Sequence, residues 1–301
     1  MALVNALVPV LVPVLATILV GVAWARWGKP VDPERLTPLI LNVGTPCLVF
    51  STLSTLVVPA LELGIMVLAT LLMIGAFLVS GRLLIRLTAL PAGVFLPPVV
   101  FGNLGNLGLP LNLFAFGDAG LELGLIMFAT QSVLFFTVHF WLMSGRASPA
   151  MFAKTPHVYA IAVALAFTLS GTTPPTWLTN TTDLIGGLTI PMLLIMLGTS
   201  LARFRVSTVV RPLVLALLRV VAGLGVAWAL IAVLGLEGTA RGVMVICCVM
   251  PGAVFNYLAA MRYNRSPDEV ASYVVVSTLA VLCLLPVIIP LAWWMAGAVP
   301  W

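Results

Sequence analysis

The sequence predicts an all-α membrane protein of ten transmembrane helices, and three observations predict it. Charged residues fill only 8% of the 301 positions and hydrophobic ones fill 62%. A water-soluble surface needs roughly 25% charged residues, so lipid replaces water around most of the exterior. Apolar runs of about 20 residues, long enough to cross a bilayer, recur between short polar links. Basic residues fall in every second link, the pattern of a chain that alternates between two sides of a membrane.

Charge, proline and glycine bound the runs. The first helix occupies 4–25 and stops at Arg26. It has no basic segment before it and no evident cleavage site after it, so it reads as an uncleaved span and not a signal peptide. The second occupies 35–57, ahead of Pro59, and the third 62–87, from Glu62 to Arg86. The fourth, 92–116, lies between Pro91 and Gly117, and the fifth, 120–143, ends at the polar linker 144–156. The sixth is the shortest, at 157–172; the seventh, 177–202, stops at Arg203. The eighth occupies 210–235, the ninth 239–262 and the tenth 268–296, after Pro267.

The basic residues test this count. Arg26, Lys29 and Arg35 lie between helices 1 and 2, Arg82 and Arg86 between 3 and 4, and Arg146 and Lys154 between 5 and 6. Arg203, Arg205 and Arg211 lie between 7 and 8, and Arg262 and Arg265 between 9 and 10. The opposite side holds Arg241 alone, and Arg219 falls inside helix 8. The basic links are therefore cytoplasmic, and both termini face away from the cytoplasm of a cell whose inner membrane the chain crosses. The basic residues form no patch with interleaved aromatics, which excludes a nucleic-acid partner. Cys47, Cys247, Cys248 and Cys283 lie in apolar runs and read as small hydrophobes, not as a disulfide or a metal site.

Residues 1–143 and 157–301 each hold five crossings, and an odd number of crossings inverts the second copy. Thr45-Pro46 and Ser54-Thr55-Leu56 in helix 2 parallel Ile190-Pro191 and Thr199-Ser200-Leu201 in helix 7 at one offset. Thr130 and Ser132 in helix 5 correspond to Ser277 and Thr278 in helix 10. Inverted repeats interrupted at matching places are the pattern of secondary transporters, whose sites lie near the midplane.

The interruptions are in helices 4 and 9. Helix 4 carries Gly102, Asn103, Gly105, Asn106, Gly108, Pro110 and Asn112 in one apolar span. Proline removes a backbone donor and glycine permits unwinding, so this helix is expected to break, with Asn103 and Asn106 facing a cavity. Freed backbone groups are tolerated at that depth only inside protein or along a wet cavity. Helix 9 carries Pro251-Gly252 at its middle, followed by Asn256 and Tyr257. Two helices broken at equivalent depths would cross and point half-helix N-termini at one place, suited to a carboxylate or another anion. The candidate substrate residues are thus Asn103, Asn106 and Pro110 on helix 4, and Pro251, Gly252, Asn256 and Tyr257 on helix 9. The plainer reading is that the glycines allow close packing and the asparagines join helices.

No Asp or Glu falls at mid-membrane, which argues against proton coupling through a buried carboxylate. Neutral oxygens of Thr130, Gln131, Ser277 and Thr278 are candidates for a coupling sodium ion, with ordinary interhelical hydrogen bonds as the alternative for each. No cofactor is implied. Arg219, two to three turns into helix 8, is expected to snorkel inward, with a substrate contact as the lesser reading. His139 is expected at the inner interface, and Pro46 and Pro191 are expected only to bend their helices. An enzyme is disfavoured, because no nucleophile–base pair or metal cluster falls at mid-depth.

Asn103 to Leu111, Met250-Pro251-Gly252, Tyr263-Asn264 with Pro267-Asp268, the Ser277-Thr278 region, and Ile190-Pro191 through Leu201 together resemble the auxin efflux carrier family, which includes the plant PIN-FORMED carriers and bacterial relatives. The resemblance covers essentially the whole chain. It implies a scaffold of helices 1, 2, 6 and 7 that also forms a homodimer interface, and a moving transport domain of helices 3–5 and 8–10. It implies a crossover at Asn103 and Pro251, with Asn103 on the carboxylate of a small organic anion and Gln131 in a supporting polar site. Alternating access would then be an elevator-like shift. The short 144–156 linker and the uncharged stretch from Val67 to Phe77 depart from the plant members, so a small carboxylate such as a dicarboxylate is implied rather than auxin. A sodium symporter of the bile-acid type, or a non-transporting sensor on the same scaffold, are the alternatives.

Overall fold

A computed structural model describes residues 2–27, 36, 38–54, 60–144 and 156–298. Lys29, Arg35, Thr55, Leu56, Arg146 and Lys154, with most of the 144–156 linker, lie outside the described residues. Every named element among the described residues is helical. In hydrocarbon a helix satisfies its own backbone donors and acceptors, which an isolated extended segment cannot.

The elements are α1 (Ala2–Trp27), α2 (Thr45–Ser54), α3 (Ala60–Thr88), α4 (Ala92–Val100), α5 (Leu109–Leu134), α6 (Phe140–Ser144) and α7 (Pro156–Ser170). They continue with α8 (Thr176–Gly187), α9 (Thr189–Arg203), α10 (Val210–Leu234), α11 (Gly238–Val249), α12 (Phe255–Tyr263) and α13 (Pro267–Ala296). π-Helical turns precede α2 (Ile40–Gly44) and α5 (Leu104–Gly108) and join α5 to α6 (Phe135–His139).

Six helical runs among the described residues are long and apolar enough to cross a membrane, so the chain is a multi-pass membrane protein. They are Ala2–Trp27, Leu61–Thr88, Leu104–Met143, Thr176–Arg203, Val210–Leu234 and Pro267–Ala296. Ile40–Ser54, Val158–Thr168 and Gly238–Val249 are apolar but shorter. The run from Leu104 turns at Gly117, whose φ of 66° and ψ of −153° are open to glycine without strain. That corner falls where the sequence separates the fourth helix from the fifth. Leu19, Trp24, Val79, Trp228, Val233 and Val287 are exposed apolar side chains on these runs. Such a surface is a liability in water and fits lipid.

Near Pro191 the run Thr176–Arg203 kinks at Leu188, whose φ of −74° and ψ of −19° stay in the helical region. The helix ends at Gly187 and restarts at Thr189, and the two segments are α8 and α9. At Pro46 the helix stays continuous, its register absorbed by the π-helical turn just before it.

The helices pack in two sets. α1 lies along α9, and α2 lies against α7 and α8. α3 packs on α10, α10 on α11 and α13, and α5 on α3 and α11. The α1–α9 contact is backbone against backbone. A methyl group on Gly21 would overlap the Ile195 carbonyl, and one on Gly198 would overlap the Ile18 carbonyl. Without a hydrophobic drive between helices in lipid, such close approach supplies the attraction.

Gly198→Val is therefore expected to destabilise the protein by about 1–3 kcal/mol or more, since the backbone it meets cannot swing aside. Monodispersity and melting midpoint of the detergent-purified variant check this. A wild-type midpoint would mean that α1 and α9 can separate without cost.

Candidate functional site

α4 ends at Val100 and α11 at Val249, and the two broken stretches that follow lie against each other. The Asn103 N–H donates to the Pro251 carbonyl (2.7 Å) and the Ala253 N–H to the Phe101 carbonyl (3.2 Å). Gly102 and Gly252 thereby form an isolated antiparallel bridge. Unwinding frees backbone groups, and each stretch supplies partners for the other's. Side chains complete the set. Gln131 Nε2 donates to the Gly102 carbonyl (2.8 Å). Asn256 Nδ2 donates to the carbonyls of Phe101 (3.2 Å) and Ala253 (2.8 Å). The Gly252 N–H donates to Ser277 Oγ (3.3 Å).

Beside this bridge lies a cavity of about 230 Å³. Its floor is the break and restart of the first broken helix, Gly102 to Asn106. Two helix faces wall it: Phe128, Gln131, Ser132 and Phe135, and Phe255, Leu258, Ala259 and Arg262. Each set follows the i, i+3, i+4, i+7 spacing of one helical stripe. Leu41, Thr45 and Leu193, from the other packing set, close it. The cavity thus lies where the two helix sets meet.

Asn103 stands at the restart, and its Oδ1 accepts the Asn106 N–H (3.1 Å) as an N-cap. Capping occupies the carbonyl half of the amide and leaves Nδ2, which is buried and has no partner. The side chain is 3% exposed and lines the cavity. Gln131 Oε1 and Thr45 Oγ1 are likewise buried without partners. Arg262 is exposed and brings a guanidinium to the rim. Helix N-termini carry partial positive charge, so the restarts at Leu104 and Phe255 add to an environment suited to an anion.

The sequence-predicted residues divide on this geometry. Asn103, Asn106 and Gln131 line the cavity. Pro251, Gly252, Asn256 and Ser277 build the bridge behind it. Pro110 is buried in the first turn of α5 and does not line it. Tyr257 rests on Phe204, their ring centroids 4.3 Å apart. Of the four candidate ion oxygens, Gln131 alone lines the cavity. Thr130 donates to the Ile126 carbonyl (2.8 Å) and faces a separate, apolar cavity with Leu53 and Val67. Thr278 donates to the Val274 carbonyl (2.7 Å). Among the described residues no cluster of three His, Cys, Asp or Glu gathers to hold a metal ion.

Two expectations are corrected. His139 is not interfacial: it is fully buried, 2.8 Å from Asn256 Oδ1 and stacked on Phe135. A polar partner and an aromatic ring offset the loss of water there. Arg219 does not snorkel; its side chain is 2% exposed and its guanidinium lies behind Gly102. Arg262 was assigned only a topological role, and its signal was the stripe that begins when the helix restarts at Phe255.

A family model described as membrane transport protein matches residues 151–289, a stretch within the second half of the chain. A comparison with curated proteins finds no match. The match contains the second break and Arg262, and it agrees with the motif resemblance.

Asn256→Leu keeps the bulk of the side chain but removes one of the two donors to the Phe101 carbonyl and the Oδ1 partner of His139. It is expected to cost about 1–3 kcal/mol, seen as a lower melting midpoint of purified protein. An unchanged midpoint would show that the bridge holds without this amide.

Proposed function

We propose that this chain, with residues 151–289 matching a membrane transport protein family, carries small organic anions across the inner membrane, with the carboxylate at Asn103. One observation carries the reading: Asn103, which lines the cavity at the start of a half-helix, holds a buried donor without a partner, Nδ2. A buried donor left unpaired costs about 1–3 kcal/mol, and a carboxylate oxygen would recover it. Phe128, Phe135, Phe255 and Leu258 favour a carboxylate with an apolar body, and Arg262 at the rim adds one positive charge.

In this reading the chain has ten helices in two inverted repeats, and α4 with its continuation crosses α11 with α12 at the Gly102–Gly252 bridge. The set with α1, α2, α7, α8 and α9 is the scaffold, through which two copies pair. The set with α3, α5, α10, α11 and α13 is the transport domain. Because the cavity has walls from both sets, an elevator-like shift would open it to either side in turn. The alternation of basic links supports cytoplasmic placement of the rim bearing Arg262.

The test is melting-point stabilisation of purified protein by phenylacetate, hexanoate, malonate and succinate, each in sodium and in choline buffer. Stabilisation by a carboxylate is expected. Asn103→Ala is expected to weaken it about tenfold to a hundredfold, as for a lost hydrogen bond to a charged group. Counterflow of the stabilising anion in proteoliposomes then separates a carrier from a sensor. Wild-type binding by Asn103→Ala would remove the amide from the site, and sodium-dependent stabilisation would favour the symporter.

A further inference from the structure

Arg219 has a place in the molecule that neither the topology nor the cavity accounts for. It is buried in α10, and its hydrogen-bond partners are carbonyl oxygens with no carboxylate among them. Nε donates to Val99 (2.8 Å) and a terminal nitrogen to Cys248 (3.3 Å). Val99 lies in the last turn of α4 and Cys248 in the last turn of α11. One guanidinium therefore joins the C-terminal ends of both half-helices just before their breaks. Those ends carry unpaired carbonyls and partial negative charge, both of which a buried cation satisfies.

The neighbours fix the group in place. The Phe77 ring covers it, with its centroid 4.6 Å from the guanidinium carbon. One turn further along α10, a methyl group on Gly223 would overlap the Cys248 carbonyl, so α10 approaches α11 backbone to backbone. A methyl group on Gly102 would stand 2.9 Å from the remaining Arg219 nitrogen. The charge is thus one chain thickness behind a residue that lines the cavity.

We propose that Arg219 is a positioning residue: it clamps the C-terminal ends of α4 and α11 to each other, holds the Gly102–Gly252 bridge in register, and so sets Asn103 at the cavity. The planar fork is what the geometry needs, since two carbonyls on different helices must be reached by one rigid group. Lysine keeps the charge but concentrates it at one point. The proposal assigns a role that acts through Asn103, and only its binding arm rests on the anion reading.

Hydrogen–deuterium exchange of wild type, Arg219→Met and Arg219→Lys in nanodiscs, well below every melting midpoint, tests the clamp. Exchange of the Asn103 and Ala253 amides is expected to rise about tenfold to a hundredfold in Arg219→Met. The rise should be smaller in Arg219→Lys, with α1 and α9 unchanged in both. Unchanged exchange at the two breaks overturns the proposal, and so does an equal rise in every helix. If Arg219→Met yields no folded protein, Arg219→Lys carries the same comparison. In the binding arm, phenylacetate affinity is expected to fall in Arg219→Met and to be partly restored in Arg219→Lys. Wild-type affinity in an Arg219→Met protein with loosened breaks would overturn the link to Asn103. If wild type binds no carboxylate the anion reading falls, and the exchange arm still decides the clamp.

Discussion

An unwound peptide within the hydrocarbon must find partners for every donor and acceptor that its helix no longer supplies, and the centre of this molecule is arranged around that constraint. Two chain segments lose their helices at one place and pair with each other across Gly102 and Gly252. Gln131, Asn256 and Ser277 cover groups the bridge leaves over. The cost of breaking two helices is thereby reduced to what geometry cannot satisfy. What remains unsatisfied beside the cavity, Asn103 Nδ2 foremost, is where a ligand of the proposed kind would gain most.

The breaks also sort charge. Each broken helix presents one C-terminal end and one N-terminal end within a few residues. The carbonyl ends turn toward α10, where Arg219 meets them. The amide ends, at Leu104 and Phe255, turn toward the cavity. A cation is fixed on one side of the bridge, and the partial positive charge of the amide ends falls on the other.

Much of this was legible in the residues. Glycine, asparagine and proline between Gly102 and Pro110 have no business in an ordinary apolar helix, and Pro251-Gly252 marks the second break by the same chemistry. Asn103 and Asn106 could be placed at a cavity because a polar amide at that depth needs one. His139 was misplaced because the group that makes burial tolerable, Asn256, is 117 residues away in sequence. Arg219 was misread because a lone arginine in a span is judged by its distance from the membrane edge. Its partners exist only where two other helices stop. Arg262 was hidden by phase: a stripe through Phe255, Leu258 and Ala259 can be extended to it only after the restart is known. Where the sequence predicts ten spans, six runs among the described residues are long and apolar enough to cross, because the fourth span is cut after Ala92–Val100 and its continuation runs on within Leu104–Met143.

The cavity has walls on both packing sets: Phe128, Phe255 and Asn103 on one, Leu41, Thr45 and Leu193 on the other. Its dimensions are therefore set by how the two sets stand against each other, and an occupant takes part in fixing that relation. If the two sets slide past each other as proposed, a molecule that fills the space and stays within one wall would travel with it. One that reaches across to Leu193 and Leu41 would be a wedge, gripping both surfaces and stopping that slide. On that proposal, cargo and inhibitor could share a head group and differ only in length.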